Sequence, residues 1–418
     1  MEEPHQSAPP AQPHPPQRGG AKAVCVVIVF SLHNAWNCWV FLNFTNFGPA
    51  EELLGVGDAE VGFITTIGWL GILTTVPLVT VCTWHRTLLF VAGLMNVAPP
   101  ALRYFAAVRG NYELVVLSNF LQGSAFGVLG AWPAMLAALQ WRQEQRTLVT
   151  AVASLSNYVG GAAGVTFMPA MADTAPKLLE VFKMQSYVAA LLLILMVTWF
   201  WIPPSRTAAD GRSALGEEGG GSTLRQELEM CLRGKAGKQV LTFGLLIGMS
   251  LLLQGMNQFV LAGVGFDDVR AGEGNTLYQL AAAVVGVGIG SRCETEADLQ
   301  RALHWLHIVM AIGTVVFASL CAVVLETSAG SGLLFPGAVG VMLLVMTLLG
   351  GTLMGMLPFC LQQACYTVAP ASENVVSGLI YLVAMLVAAS LTQLTAIIAP
   401  IWSVALITFL VVLEVYST

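Results

Sequence analysis

Twelve apolar runs, each near the length of about 20 residues that a helix needs to cross a bilayer, fall into two sets of six along the 418-residue chain. The runs are 22–47, 59–83, 87–106, 113–139, 147–171 and 180–202, then 239–264, 274–291, 302–325, 333–360, 373–398 and 400–416. Between the sets, residues 203–238 are Gly/Ser-rich and charged, as a solvated linker is. Only 10% of residues are charged, against about 25% in soluble domains. The expected architecture is an all-α membrane protein of twelve transmembrane helices in two six-helix halves. Its parts are a disordered tail (1–21), an N-terminal half (22–202), the linker (203–238) and a C-terminal half (239–418). The tail lacks a cleavage pattern, so the first span is expected to stay as an anchor.

Lysine and arginine orient the bundle. With both termini in the cytoplasm, most of the 18 basic residues fall on the cytoplasmic side, including Arg86, Arg142, Arg146 and the linker's set. Arg103, Arg109, Lys177, Lys183 and Arg270 remain opposite. A multi-pass protein of the plasma membrane or an organelle follows. The net charge of −6 argues against nucleic acid. The eight cysteines show no metal-ligand spacing, and nothing resembles a phosphate loop, a triad or paired acids. No cofactor, no metal and no enzymatic activity are expected, and the chain is expected to act as a monomer.

Within the first span, SLHNAWNCWVFLNFTN (31–46) gathers four asparagines, two tryptophans and a histidine. Asn34, Asn37 and Phe41 share a face by helical spacing, with Trp36 and Trp39 at its edges. Amides recur at Gln122, at Asn157 beside Tyr158, at Gln254 and Asn257, and at Gln362. Glu60, Arg103, Lys183 and Glu414 read as span-end residues whose long side chains reach the interface. No Asp, Glu, Lys or Arg then remains well inside a span, which argues against carboxylate-based proton coupling. It also argues against a pocket for heme, whose propionates want cations. Indoles attract a quaternary ammonium through the ring quadrupole. The expected site is a water-filled, charge-free hollow of rings and amides. The competing expectation is that the amides are interhelical hydrogen bonds. His33 is expected to be packed rather than a heme ligand. Trp69, Trp84, Trp132, Trp199 and Trp201 are expected as interfacial anchors, and the sequon at Asn43 as fortuitous.

Six spans, a basic loop and six more is the layout of the major facilitator superfamily, and three segments narrow the resemblance. LPFCLQQACYTVAPASENVVSGL (357–379) resembles the link between spans ten and eleven of the FLVCR-type carriers. The match is in Leu-Pro, Pro370, Ser372-Glu373 and Ser377-Gly378, with Gln362 where the family has glutamate. WPAMLAALQWRQEQRTLVTAVASLSNYVGGAAGVTFMPAM (132–171) is similar to that family's loop and span five, and residues 31–46 are similar to its span one. The resemblance covers about two thirds of the chain and is weakest over spans seven to nine. It implies a solute carrier working by alternating access about a midplane site, in a family that includes choline, ethanolamine and proposed heme transporters. Tyr158 and Met385 stand where choline-transporting members carry glutamines, and Cys38 where they carry tryptophan. The implied cargo is choline or a related amine by uncoupled facilitated diffusion. Heme or a porphyrin is an alternative cargo, and a non-transporting receptor or scaffold is the other class. The candidate substrate-binding residues are therefore Asn34, Trp36, Asn37, Trp39, Gln122, Asn157, Tyr158, Gln254, Asn257, Gln362 and Met385.

Overall fold

A computed structural model describes residues 20–44, 47–82, 84–202, 223–263, 266, 268–331, 336–368 and 371–397. Side chains 255–260 and 262–263, among others, lie outside the described set, as does the expected twelfth span with Glu414. Ten helical segments among the described residues are long and apolar enough to cross a membrane. The helices are α1 (Ala21–Phe41), α2 (Phe47–Leu54), α3 (Asp58–Val81), α4 (His85–Val108), α5 (Tyr112–Ala131), α6 (Pro133–Gln140), α7 (Gln143–Met171) and α8 (Ala175–Leu195). They continue as α9 (Leu224–Leu232), α10 (Gly234–Gly263), α11 (Asp268–Gly290), α12 (Glu296–Ser331), α13 (Pro336–Leu349), α14 (Leu357–Thr367) and α15 (Glu373–Ile397).

Apolar side chains such as Ile28, Phe63, Leu94, Leu191, Ile194, Val284 and Leu344 are exposed on the outside of the bundle, where acyl chains solvate them. With lipid as apolar as leucine, close packing and hydrogen bonds hold the helices together instead. The pairing is pseudo-symmetric: α1 lies on α7 as α10 lies on α15, while α7 packs on α11 and α3 on α15 across the two sets of helices.

Two spans are interrupted. The fourth run divides into α5 and α6 at Trp132 because Pro133 has no N–H to continue the ladder. The tenth divides into α13 and α14 through a π-helical segment, Gly350–Met354. Trp132 and Trp199 are fully buried, so the expected anchor role is corrected for both; Trp84 and Trp201 are exposed. Asn43 is also buried, exchanging side-chain hydrogen bonds with Gln185 at 2.6 and 2.9 Å, so the sequon offers no acceptor for a glycan.

The linker contains one element the sequence reading lacks. Thr223 and Gln226 form a capping box that starts α9. Its Glu227 accepts from Ser372 Oγ at 2.8 Å and from Ser372 N at 3.4 Å, which pins α9 to the start of α15. Close by, Arg146 at the start of α7 lies 3.7 Å from Glu373. α14 packs against α6 and α7, and Gln363 donates to Glu296 at 3.4 Å. The end of the bundle bearing the linker is thus shut.

Cys231 on α9 is fully buried beneath this closure. Burial and the neighbouring Glu227 carboxylate push its thiol up to about 11, so little thiolate exists at neutral pH. In a background lacking the other cysteines, maleimide is expected to label Cys231 far more slowly than an exposed control cysteine. Ser372→Ala is expected to raise the rate by freeing α9, and equal rates in both proteins would contradict the pinning.

Candidate functional site

Amides on α1 point to different neighbours. Asn34 donates to Ala153 O on α7 at 2.8 Å, and Asn157 Nδ2 reaches back to Asn34 Oδ1 at 3.3 Å. This contact is close because Gly160 lies directly under the Ala35 carbonyl, with no room for a Cβ between the two backbones.

Beside this crossing is a cavity of about 10 Å³ between the helices before the linker and those after it. Its walls are Asn34, Phe126, Gly130, Ser154, Asn157, Tyr158, Leu251 and Tyr381. Space of that size holds about one water. Three of the walls are aromatic rings, two are carboxamides, and none carries a formal charge at neutral pH. The Asn157 Oδ1 acceptor is buried with no donor among the described residues. Tyr381 reaches across from α15 to lie over Gly130, where a Cβ would stand 2.9 Å from the ring. The cavity at this crossing is small and nearly closed.

Asn34, Asn157 and Tyr158 are the sequence-predicted residues that meet here. Asn37 and Gln122 do not; they form a polar knot with His33 and Asn96. Asn37 and Gln122 both donate to Asn96 Oδ1 at 2.9 Å, and each also donates to the other's backbone carbonyl at 3.1 Å. Asn96 Nδ2 donates to His33 O at 2.9 Å. The His33 ring bonds Leu192 O through Nε2 at 3.2 Å and Asn96 through Nδ1 at 3.4 Å. Both imidazole nitrogens are therefore engaged, as a packed histidine requires.

Trp36 is buried with Val40, Val97, Ala189 and Leu192, and Trp39 packs near Phe44 and Met168. Their ring centroids are 6.1 Å apart, yet neither lines the cavity. Gln254 donates to Gln279 Oε1 at 2.9 Å and to Cys38 Sγ at 3.7 Å, a polar link from α10 to α1. Gln362 and Met385 are buried away from the cavity walls. The Asn257 side chain lies outside the described residues.

Phe126, Ser154 and Tyr381 line the space without having been singled out from the sequence. Rings inside an apolar run look like core, and only the cross-bundle contact distinguishes Tyr381.

Arg103 corrects the span-end expectation. It is fully buried on α4, because the helix continues to Val108 rather than ending near 106. Its guanidinium donates to Val40 O at 2.7 Å, Asn119 Oδ1 at 2.6 Å and Ser118 Oγ at 3.1 Å, with the Phe44 ring 5.0 Å away. Among the described residues no carboxylate pairs with it. A cation thus sits inside the bundle, though outside the cavity walls.

No family model matches the sequence, and no curated protein matches it either. Solved structures do match in shape. A major facilitator superfamily transporter, FucP, in the outward conformation aligns with a TM-score of 0.64 at 14% identity, over 94% of this chain and 99% of that one. The human organic anion transporter MFSD10 (TETRAN) gives 0.66 at 13% identity, over 94% and 99%. A D-xylose–proton symporter gives 0.64 at 14%, over 95% and 97%. At such identities the likeness concerns architecture: the chain has the all-helical major facilitator fold, with ten membrane-length helical segments among the described residues.

Proposed function

We propose that this chain is an integral membrane carrier that moves a small polar organic solute by alternating access. The favoured cargo is choline or a related amine, taken across the plasma membrane by facilitated diffusion. The observation that carries this reading is the cavity between the halves, whose walls are Phe126, Tyr158, Tyr381, Asn34 and Asn157, with no formal charge. Aromatic faces hold an ammonium without a buried carboxylate, and the unpartnered Asn157 Oδ1 offers an acceptor to a hydroxyl. The absence of a charged wall also favours uncoupled movement over proton relay. The rings assigned to the cation are those of Tyr158, Tyr381 and Phe126 rather than the first-span indoles. A porphyrin dianion finds no cation on these walls.

Closure of the linker side supports reading this conformer as one that exchanges solute with the opposite face. With the orientation given by Lys and Arg, that face is extracellular.

Proteoliposomes carrying the protein are expected to take up labelled choline down its gradient, unaffected by collapse of a proton gradient. Tyr381→Ala is expected to weaken this by about thirtyfold, since one desolvated ring is worth about 2 kcal/mol to a cation. No uptake, together with no thermal stabilisation of the purified protein by choline, would remove the amine reading. Stabilisation by another solute would keep the carrier and change its cargo.

A further inference from the structure

A second recess lies at the linker-side rim, where the chain leaves α6 and enters α7. Its volume is about 430 Å³, within the usual range of small-ligand sites, about 300–1,000 Å³. Gln140, Trp141, Arg142 and Arg146 line it, together with the exposed Glu144. Just behind this wall lie donors with no acceptor among the described residues. Gln140 is 8% exposed, and neither of its carboxamide atoms has a hydrogen-bond partner among the described residues. Trp141 Nε1 and Arg142 Nε are likewise buried without one. Arg146 is held in place by backbone carbonyls, Trp141 O at 3.4 Å and Ala138 O at 3.3 Å. Arg142 has no ion pair among the described residues.

Unsatisfied buried polar groups are uncommon in folded proteins and call for a partner. Here three consecutive residues, Arg142 among them, each leave a side-chain N–H unspent, beside the Arg146 guanidinium and at the positive end of a long helix. Planar guanidinium donors match tetrahedral oxyanions in a way ammonium groups do not. We propose that this recess binds a phosphate-bearing anion, supplied either by a lipid headgroup or by a free phosphate compound. The site also touches the closure, because Arg146 faces Glu373 across the halves at 3.7 Å. An anion drawn to Arg146 competes with Glu373, so occupancy weakens one tie across the shut end and ligand supply tunes the opening of the carrier.

The test uses the full-length protein and reads its thermal unfolding midpoint in two arms. One compares nanodiscs of phosphatidylcholine with nanodiscs that also contain phosphatidylinositol phosphate. The other, in detergent, compares inorganic phosphate with chloride at matched ionic strength. The midpoint is expected to rise with the anion in at least one arm, and the arm that responds identifies the source. Arg142→Gln is expected to weaken the response by roughly tenfold or more, the loss of one charge-assisted contact. Arg225→Gln, which removes one exposed charge on α9, is expected to leave it intact. Should Arg142→Gln fold poorly, shown by a lowered midpoint without anion, Arg142→Lys supplies the comparison, keeping charge but losing the fork. No response in either arm, or equal responses in the Arg142 and Arg225 variants, overturns the proposal.

Discussion

Gly160→Ala is expected to destabilise the protein strongly and Gly160→Leu to prevent its accumulation as a folded monomer. The atoms that an added Cβ meets are the carbonyl and Cα of Ala35, and backbone cannot rotate aside as a side chain can. α1 and α7 would have to part, loosening the Asn34–Ala153 bond and the Asn34–Asn157 pair together. Overpacking by a single methyl costs about 1–3 kcal/mol in well-packed interiors, and the crossing lies beside the cavity lined by Asn34 and Asn157. One turn on, Gly164→Ala is the internal comparison. Its Cβ would meet a Leu42 methyl at 3.4 Å, an ordinary contact. Thermal unfolding in detergent separates the two, and similar midpoints for Gly160→Ala and Gly164→Ala would show that the crossing is not the constraint described.

Arg103→Glu is expected to be at least as damaging, whereas Arg103→Met should be distinctly milder. The glutamate would set a carboxylate against Val40 O and Asn119 Oδ1, both acceptors now satisfied by the guanidinium. Leaving a buried charge uncompensated costs about 3–5 kcal/mol. Methionine removes the same bonds but also removes a charge that has no acid partner among the described residues, so part of the loss is recovered. Asn119 is itself bonded to Ile64 O at 2.5 Å; the arginine therefore ties α1, α4 and α5 together, and α3 through Asn119. Folded yield by fluorescence-detected size exclusion ranks the variants. Equal yields for glutamate and methionine would contradict a donor role for this side chain.

The architecture was legible because the bilayer imposes it. Long apolar runs and one polar break leave little freedom, and the break at 203–238 contains the stretch where α9 forms. The helix itself escaped notice because nine residues carrying three charges in a polar linker look like solvated loop until Glu227 meets Ser372. Arg103 was misplaced by a few residues of boundary, and that shift changes a snorkelling side chain into a buried cation.

The site was legible as chemistry and not as geometry. Amide-rich spans announce polar contacts, but sequence cannot say whether an asparagine faces a neighbour's carbonyl or a cargo. Asn37 and Gln122 proved to hold helices together, while Asn34 and Asn157 do so and also border the cavity. Tyr381 was invisible for the opposite reason, since its importance comes from a glycine 251 positions earlier in the chain.

Room for a single water between Tyr381 and Asn157 implies that this closely packed conformer is a poor receptor. Any organic guest must first wait for the ring to lift from Gly130, so its measured dissociation constant is the intrinsic one divided by the fraction of molecules already parted. Substitutions that untie the shut end and leave the Tyr381 ring in place should then tighten binding while adding no contact, a behaviour that screening by affinity alone would mistake for improved recognition.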